Sequence, residues 1–147
     1  MEIITEGTSE TQEFGRKFAH SLTEKEVTTV TIALVGDLGA GKTTFIQGFA
    51  QGLGIDQRII SPTFILMRKY DVKIPGKLQN FYHVDLYRIE ENVHEEVTNL
   101  GLQDVWKVAG NVVAIEWAEK VKVLVPTDTI WINFESLGEN RRKITVS

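Results

Sequence analysis

The residues Gly36-Asp37-Leu38-Gly39-Ala40-Gly41-Lys42-Thr43 run glycine, four residues, glycine, lysine, threonine, which is the order of a phosphate-binding loop. The chemistry follows from the residue types. Glycines let the chain curl so tightly that successive amide N–H groups point inward and form a concave anion site at a helix start. Lys42 adds a positive charge that can reach outer phosphates, and the Thr43 hydroxyl can ligate a Mg²⁺ that bridges them. Such a set binds a nucleoside triphosphate.

The loop works only if a strand delivers it and a helix departs from it. Thr31-Ile32-Ala33-Leu34-Val35 is a nearly unbroken apolar run ending at Gly36, as a parallel strand buried on both faces requires. Beyond the loop, Ile46, Phe49, Ala50 and Leu53 recur at helical spacing, with Gly52 and Gly54 placed to end the helix.

Two acids are candidates to complete the site. His83-Val84-Asp85-Leu86-Tyr87-Arg88 sets a carboxylate just past the apolar Phe81 and Tyr82, where phosphate-loop enzymes commonly hold Mg²⁺ directly or through water. An Asp at a strand end equally caps the following turn. Asn111 to Trp117 is a second buried-strand pattern with Glu116 directly after its apolar run, so Glu116 rivals Asp85 as metal ligand. Trp117 can stack on a base, cover the phosphates or simply pack in the core. Thr8 to Thr11 come near the nucleotide base if the N-terminal strand and helix border the loop. His20, His83 and His94 have no ligand-like spacing and read as structural or solvent-exposed. Arg88 suits a phosphate or a surface ion pair. Arg141-Arg142-Lys143 reads as a solvated strand start or hairpin end rather than a binding patch.

The remaining elements position these groups. Glu2 to Thr5 reads as a strand. Ser9 and Gln12 have capping-box spacing for a helix carrying Phe14, Phe18 and Leu22. Pro62 biases Ser61 toward an extended conformation, and the hydroxyls of Ser61-Pro62-Thr63 suit a switch. Alternation from Phe64 to Tyr70, a Pro75-Gly76 turn and the run Leu78 to Val84 predict an antiparallel hairpin. Val93, Val97 and Leu100 predict a short helix, and Leu102, Val105, Trp106 and Ala109 another ending at Gly110. Thr129 to Glu135 alternates as a strand, and Lys143 to Ser147 returns beside it as an edge hairpin after a Gly138-Glu139-Asn140 turn.

The chain of 147 residues is expected to form a single domain over 1–147, too small for a separate large substrate domain. It contains no cysteine, which excludes disulfides and thiol chemistry. Glu2, Glu6, Glu10 and Glu13 interrupt the N-terminus, so neither a secretory signal nor a membrane span is expected, and the cytoplasm is the expected location. A net charge of −4 argues against nucleic-acid binding as the main task.

Gly36 to Thr44, Ser61-Pro62-Thr63-Phe64, His83 to Arg88 and Glu116-Trp117, in this order and in so short a chain, resemble the bacterial tRNA threonylcarbamoyladenosine biosynthesis ATPase family (TsaE, formerly YjeE). The resemblance implies an ATPase using ATP and Mg²⁺, slow alone and stimulated by the partner complex that carries out tRNA threonylcarbamoylation, with tRNA contacted mainly through those partners. It implies that Gly39, Ala40, Gly41, Lys42, Thr43 and Thr44 hold phosphates, that Thr43 and Glu116 serve Mg²⁺ with Asp85 close to the metal or water, and that Trp117 lies beside the nucleotide. Lys42, Asp85 and Thr63 are then the catalytic candidates, and Thr11 a further cofactor-binding one. The expected fold is α/β, a P-loop NTPase-like three-layer arrangement whose mixed sheet has about seven strands, with an antiparallel hairpin and an antiparallel C-terminal edge. A small-molecule or nucleoside kinase shares the loop and size but brings clustered lid arginines that this chain lacks. A GTPase needs an Asn-Lys-x-Asp segment that is absent, and a non-catalytic nucleotide-sensing module remains an alternative.

Overall fold

A computed structural model describes residues 1–59 and 66–147. Its centre is β2 (Val30–Gly36), which runs parallel to both neighbours, β5 (Asn111–Glu116) and β6 (Ile130–Gly138). Ile32, Ala33 and Leu34 lose all contact with solvent there, which is why the segment carries no polar alternation. Outside β5 lie β4 (Asn80–Asp85), parallel to it, and β3 (Met67–Asp71), antiparallel to β4. Outside β6 lie β7 (Arg141–Val146) and β1 (Glu2–Thr5), both antiparallel to their inner neighbours. The seven-stranded mixed sheet therefore has the order β1-β7-β6-β2-β5-β4-β3. The antiparallel C-terminal edge carries one strand more than the hairpin alone would give, because β1 covers β7.

Two helical layers enclose the sheet. On one face, α1 (Thr8–Glu24) and α2 (Lys42–Gly52) bury Phe14, Leu22, Phe45 and Phe49 against Ile32, Leu34, Phe81, Ala114, Ile132 and Phe134. On the other, α3 (Val93–Asn99), α4 (Leu102–Val105) and a 3-10 turn (Ala118–Val121) bury Val97, Leu102 and Trp106 against Ala33, Val84, Val113 and Ile115. Ring contacts at 5.6–6.3 Å link Phe14, Phe18, Phe45, Phe49, Phe81 and Phe134 into one cluster beneath α2.

Two helix boundaries differ from the sequence expectation. The Ser9/Gln12 capping box is not formed: α1 begins at Thr8, with Gly7 as N-cap, and the Glu10 carboxylate accepts the Glu6 N–H at 3.3 Å. The acid that reaches back is thus Glu10, in the first turn, where negative charge also suits the helix dipole. The helix expected to run to Ala109 stops at Val105, because the Asn111 side-chain amide donates to the Val105 carbonyl at 2.9 Å and the chain continues in turns.

Helices α1 and α2 approach closely because glycines line their seam. A Cβ on Gly48 would sit 1.9 Å from the Gln12 carbonyl oxygen, and one on Gly15 would sit 2.3 Å from that of Phe45. Neither obstacle is a flexible side chain, so a methyl group must push the helices apart. Gly48→Ala is therefore expected to destabilise by about 1–3 kcal/mol, the usual cost of overpacking, despite alanine's better helix propensity. A lowered midpoint in urea unfolding checks this; an unchanged or raised midpoint would show that the seam yields freely.

Candidate nucleotide site

The loop joins β2 to α2 through two left-handed glycines, Gly39 with φ 80° and Gly41 with φ 105°. Gly41 is the N-cap of α2 and no side chain caps it, so the first N–H groups of the helix have no partner of their own element and open onto a cleft. This cleft has a volume of about 340 Å³. Lys42, Thr43 and Thr44 of α2, Asp85, Glu116 and Trp117 from the ends of two strands, and Asn140 and Arg142 line it.

Lys42 is almost wholly buried, with 4% of its surface exposed. Its ammonium donates to the carbonyls of Gly36 and, at 3.1 Å, Asp37, and lies 4.1 Å from the centre of the Trp117 ring. Burial holds its pKa below the ordinary lysine value, while Glu116, Glu119, Asp85 and Asp37 act in the opposite sense. The lysine is thus folded back onto its own loop.

Parallel pairing brings the two acids together, since Asp85 and Glu116 are register partners on β4 and β5. Thr43 Oγ1 donates to Glu116 Oε1 at 3.2 Å, so the hydroxyl that opens α2 and the carboxylate that ends β5 meet. Glu116 Oε2 lies 2.7 Å from His83 Nε2. Asp85 accepts the Tyr87 N–H at 2.9 Å, capping the turn after β4, and also faces the cleft.

Trp117 follows Glu116 with a left-handed backbone, φ 60°, a conformation that costs a non-glycine residue about 1–3 kcal/mol and concentrates at functional sites. Its ring packs against Tyr87 at 5.2 Å. Lys120 fixes the facing turn by donating to the carbonyls of Leu86, Tyr87 and Ile89 at 2.8–3.1 Å.

The expected residues do not all sit alike. Gly39, Gly41, Lys42, Thr43, Thr44, Asp85, Glu116 and Trp117 line the cleft, whereas Ala40 is buried beneath the loop in the core. Thr11 also lines the cleft, but its hydroxyl lies 2.7 Å from that of Thr5 and donates to Gly7 O. Ser61, Pro62 and Thr63 lie outside the described residues.

Two residues at or directly behind the cleft were not among the site candidates that the sequence offers. Of the two readings open for His83, structural and solvent-exposed, the structure bears out the first: the ring is fully buried against Glu116. Counting by two along β4 from the buried Phe81 puts His83 and Asp85 on the α2 face, which is the signal that could have found it. Arg142 is the other. It shares a strand face with the buried Ile144, and a bulge between Ser136 and Gly138 adjusts the partner strand beside it. Its guanidinium donates to Gly39 O at 3.1 Å, Glu139 O at 2.7 Å, Arg141 O at 2.9 Å and Ser136 Oγ at 3.3 Å. Among the described residues no carboxylate neutralises it. The basic run does start a strand at the hairpin, since β7 begins at Arg141, and Arg142 in addition lines the cleft.

Comparison with known proteins gives one consistent result. The family model described as "Threonylcarbamoyl adenosine biosynthesis protein TsaE" matches residues 5–144. A Treponema pallidum protein named tRNA threonylcarbamoyladenosine biosynthesis protein TsaE is 35% identical over 147 residues, covering 100% of both chains. A Bacillus subtilis protein of the same name is 40% identical over 114 residues, 78% of this chain and 66% of that one. Among solved structures, B. subtilis YdiB superposes with a TM-score of 0.70 at 31% identity, covering 99% of this chain and 83% of that one.

The folded-back lysine generates a prediction about protons. A bound triphosphate would set negative charge beside the Lys42 ammonium and raise its depressed pKa, so binding takes up protons above the folded-state pKa and none well below it. Affinity should therefore fall as pH rises toward the ordinary lysine range, and Lys42→Ala should lose the uptake and most of the affinity while keeping the fold. Calorimetry at alkaline pH in buffers of different ionisation enthalpy measures the uptake, and a buffer-independent enthalpy would contradict it.

Proposed function

The chain belongs to the TsaE family, and from that premise we propose that it is a Mg²⁺-dependent P-loop ATPase, formed as one domain, that assists the protein complex forming threonylcarbamoyladenosine in tRNA. The observation that carries this reading is the meeting of Thr43 and Glu116 above an uncapped helix start, with Lys42 beside them. Both are hard oxygen donors, which suits magnesium. Among the described residues no three histidine or acidic side chains converge as a cage, and Mg²⁺ held by one carboxylate, one hydroxyl and substrate phosphates needs none.

In this reading the ATP phosphates lie along Gly39, Gly41 and Thr44, where backbone N–H groups receive them. Lys42 exchanges the Gly36 and Asp37 carbonyls for phosphate oxygens, a neutral partner for a charged one. Thr43 and Glu116 would hold a magnesium ion, whose chemistry when bound would be to offset the negative charge of the phosphates. Asp85, which lines the same cleft, would orient the attacking water, and Thr63, of the Ser61-Pro62-Thr63 segment, is proposed as a catalytic residue with it and Lys42. Trp117 covers the site and Thr11 stands at its base end. Arg142 adds a cation in cis.

The proposed setting is the cytoplasm. Among the described residues no helix is long and apolar enough to cross a membrane. With a net charge of −4 and basic residues scattered, tRNA is contacted mainly through the partner proteins.

Steady-state phosphate release at saturating ATP tests the proposal. The chain alone should turn over slowly, and the threonylcarbamoylation partners should accelerate it, by roughly 10³- to 10⁵-fold if they insert an arginine in trans. A phosphorylated metabolite in place of free phosphate would indicate a kinase, and a fast rate indifferent to partners would show a site complete in itself. Arg142→Ala should weaken triphosphate binding about 10- to 100-fold, the loss of one or two charge-assisted hydrogen bonds, as read by calorimetry. An unchanged affinity would place the guanidinium outside the site.

A further inference from the structure

We propose that His83 is a positioning residue: it holds the Glu116 carboxylate by a hydrogen bond from Nε2, so that Oε1 stays turned toward Thr43 and the metal position. The proposal rests on the reading of the cleft as a Mg²⁺–nucleotide site. It goes beyond that reading in giving a role to a side chain that touches neither nucleotide nor metal.

The geometry leaves the imidazole few alternatives. His83 is 0% exposed and Glu116 3%, and their 2.7 Å contact lies on the α2 face of the sheet. His83 pairs in register with Ala114, whose small side chain leaves the imidazole room to reach diagonally to Glu116, two residues further along β5. The ring is stacked on Phe81 with an interplanar angle of 4°, which fixes its plane. Among the described residues the other ring nitrogen, Nδ1, is buried and has no hydrogen-bond partner.

That orphaned nitrogen decides the tautomer. An ionised carboxylate only accepts, so the proton in the 2.7 Å contact sits on Nε2. A proton on Nδ1 as well would be a buried donor without acceptor, a costlier arrangement than a bare lone pair. The geometry thus favours donation from Nε2 to Glu116. Glu116 then has one oxygen engaged by His83 and the other by Thr43. Loss of the imidazole would free the carboxylate to rotate, and the oxygen needed beside Thr43 would be there only part of the time.

Positioning and plain structural support predict different things. Partners that orient a metal ligand typically matter about 10- to 100-fold in metal affinity. In calorimetric titration of the full chain with a non-hydrolysable ATP analogue, His83→Leu should raise the Mg²⁺ concentration for half-maximal affinity by about that factor. Affinity in EDTA should stay unchanged. His83→Gln, which keeps an N–H donor at similar reach, should recover most of the effect, and in a Glu116→Gln background His83→Leu should shift the Mg²⁺ dependence no further. Equal losses with and without Mg²⁺, or a glutamine variant as impaired as the leucine one, would overturn the proposal. Because His83→Leu opens a buried site and can fail to fold, ¹⁵N NMR of the wild-type imidazole gives a test without mutation. A proton on Nε2 supports the proposal, and an Nε2 that carries none overturns it. A wild-type chain whose ATP affinity is indifferent to Mg²⁺ would instead overturn the functional reading on which it rests, whatever the tautomer.

Discussion

A helix that begins where a buried strand ends, with its first N–H groups facing outward instead of into its own chain, is the constraint on which this molecule is built. Those groups cannot be satisfied by α2 itself. No side chain caps them, because Gly41 stands at the N-cap. The chain accepts an incomplete helix end and arranges around it a lysine, a hydroxyl, two acids and an arginine. The lysine and the hydroxyl open α2 itself, whereas the two acids and the arginine come from three different strands, β4, β5 and β7, which the sheet brings together.

The rest of the fold can be read as what keeps that end in place. Burial of β2 on both faces fixes the point at which the loop leaves the sheet. The glycine seam lets α1 lie against α2 almost backbone to backbone, and the phenylalanine cluster beneath ties α2 to the strands on either side of β2. Gly36 belongs to the same design, since a Cβ there would stand 2.4 Å from the Phe134 carbonyl oxygen. The loop is therefore pinned by close backbone contacts that leave little room to drift.

How much of this the sequence discloses depends on whether the determining interaction is local. The strand, loop and helix from Thr31 to Gly54, the hairpin of β3 and β4, and the acid ending β5 are written in consecutive residues. Composition and period suffice for them. Helix ends were less legible: the α1 start depends on Glu10 reaching back to Glu6, and the α4 end on Asn111 reaching back to Val105. Least legible were His83 and Arg142, whose contacts arise from which strands lie side by side. Nothing near His83 in the chain announces Glu116, and nothing near Arg142 announces Gly39.

The position of Trp117 also gives the protein an optical property. Of its three tryptophans, Trp106 is buried beneath the sheet and Trp131 belongs to the same far layer, while Trp117 alone borders the cleft. Its indole lies near two ammonium groups, Lys42 at 4.1 Å and Lys120 at 5.9 Å, and against the Tyr87 ring. Lys120 is tethered to three carbonyls, so its field on the indole is constant, whereas that of Lys42 depends on where the lysine points. Indole emission responds to the electric field across the ring. A displacement of the Lys42 ammonium would thereby change the field on one native indole, an intrinsic optical label beside the cleft.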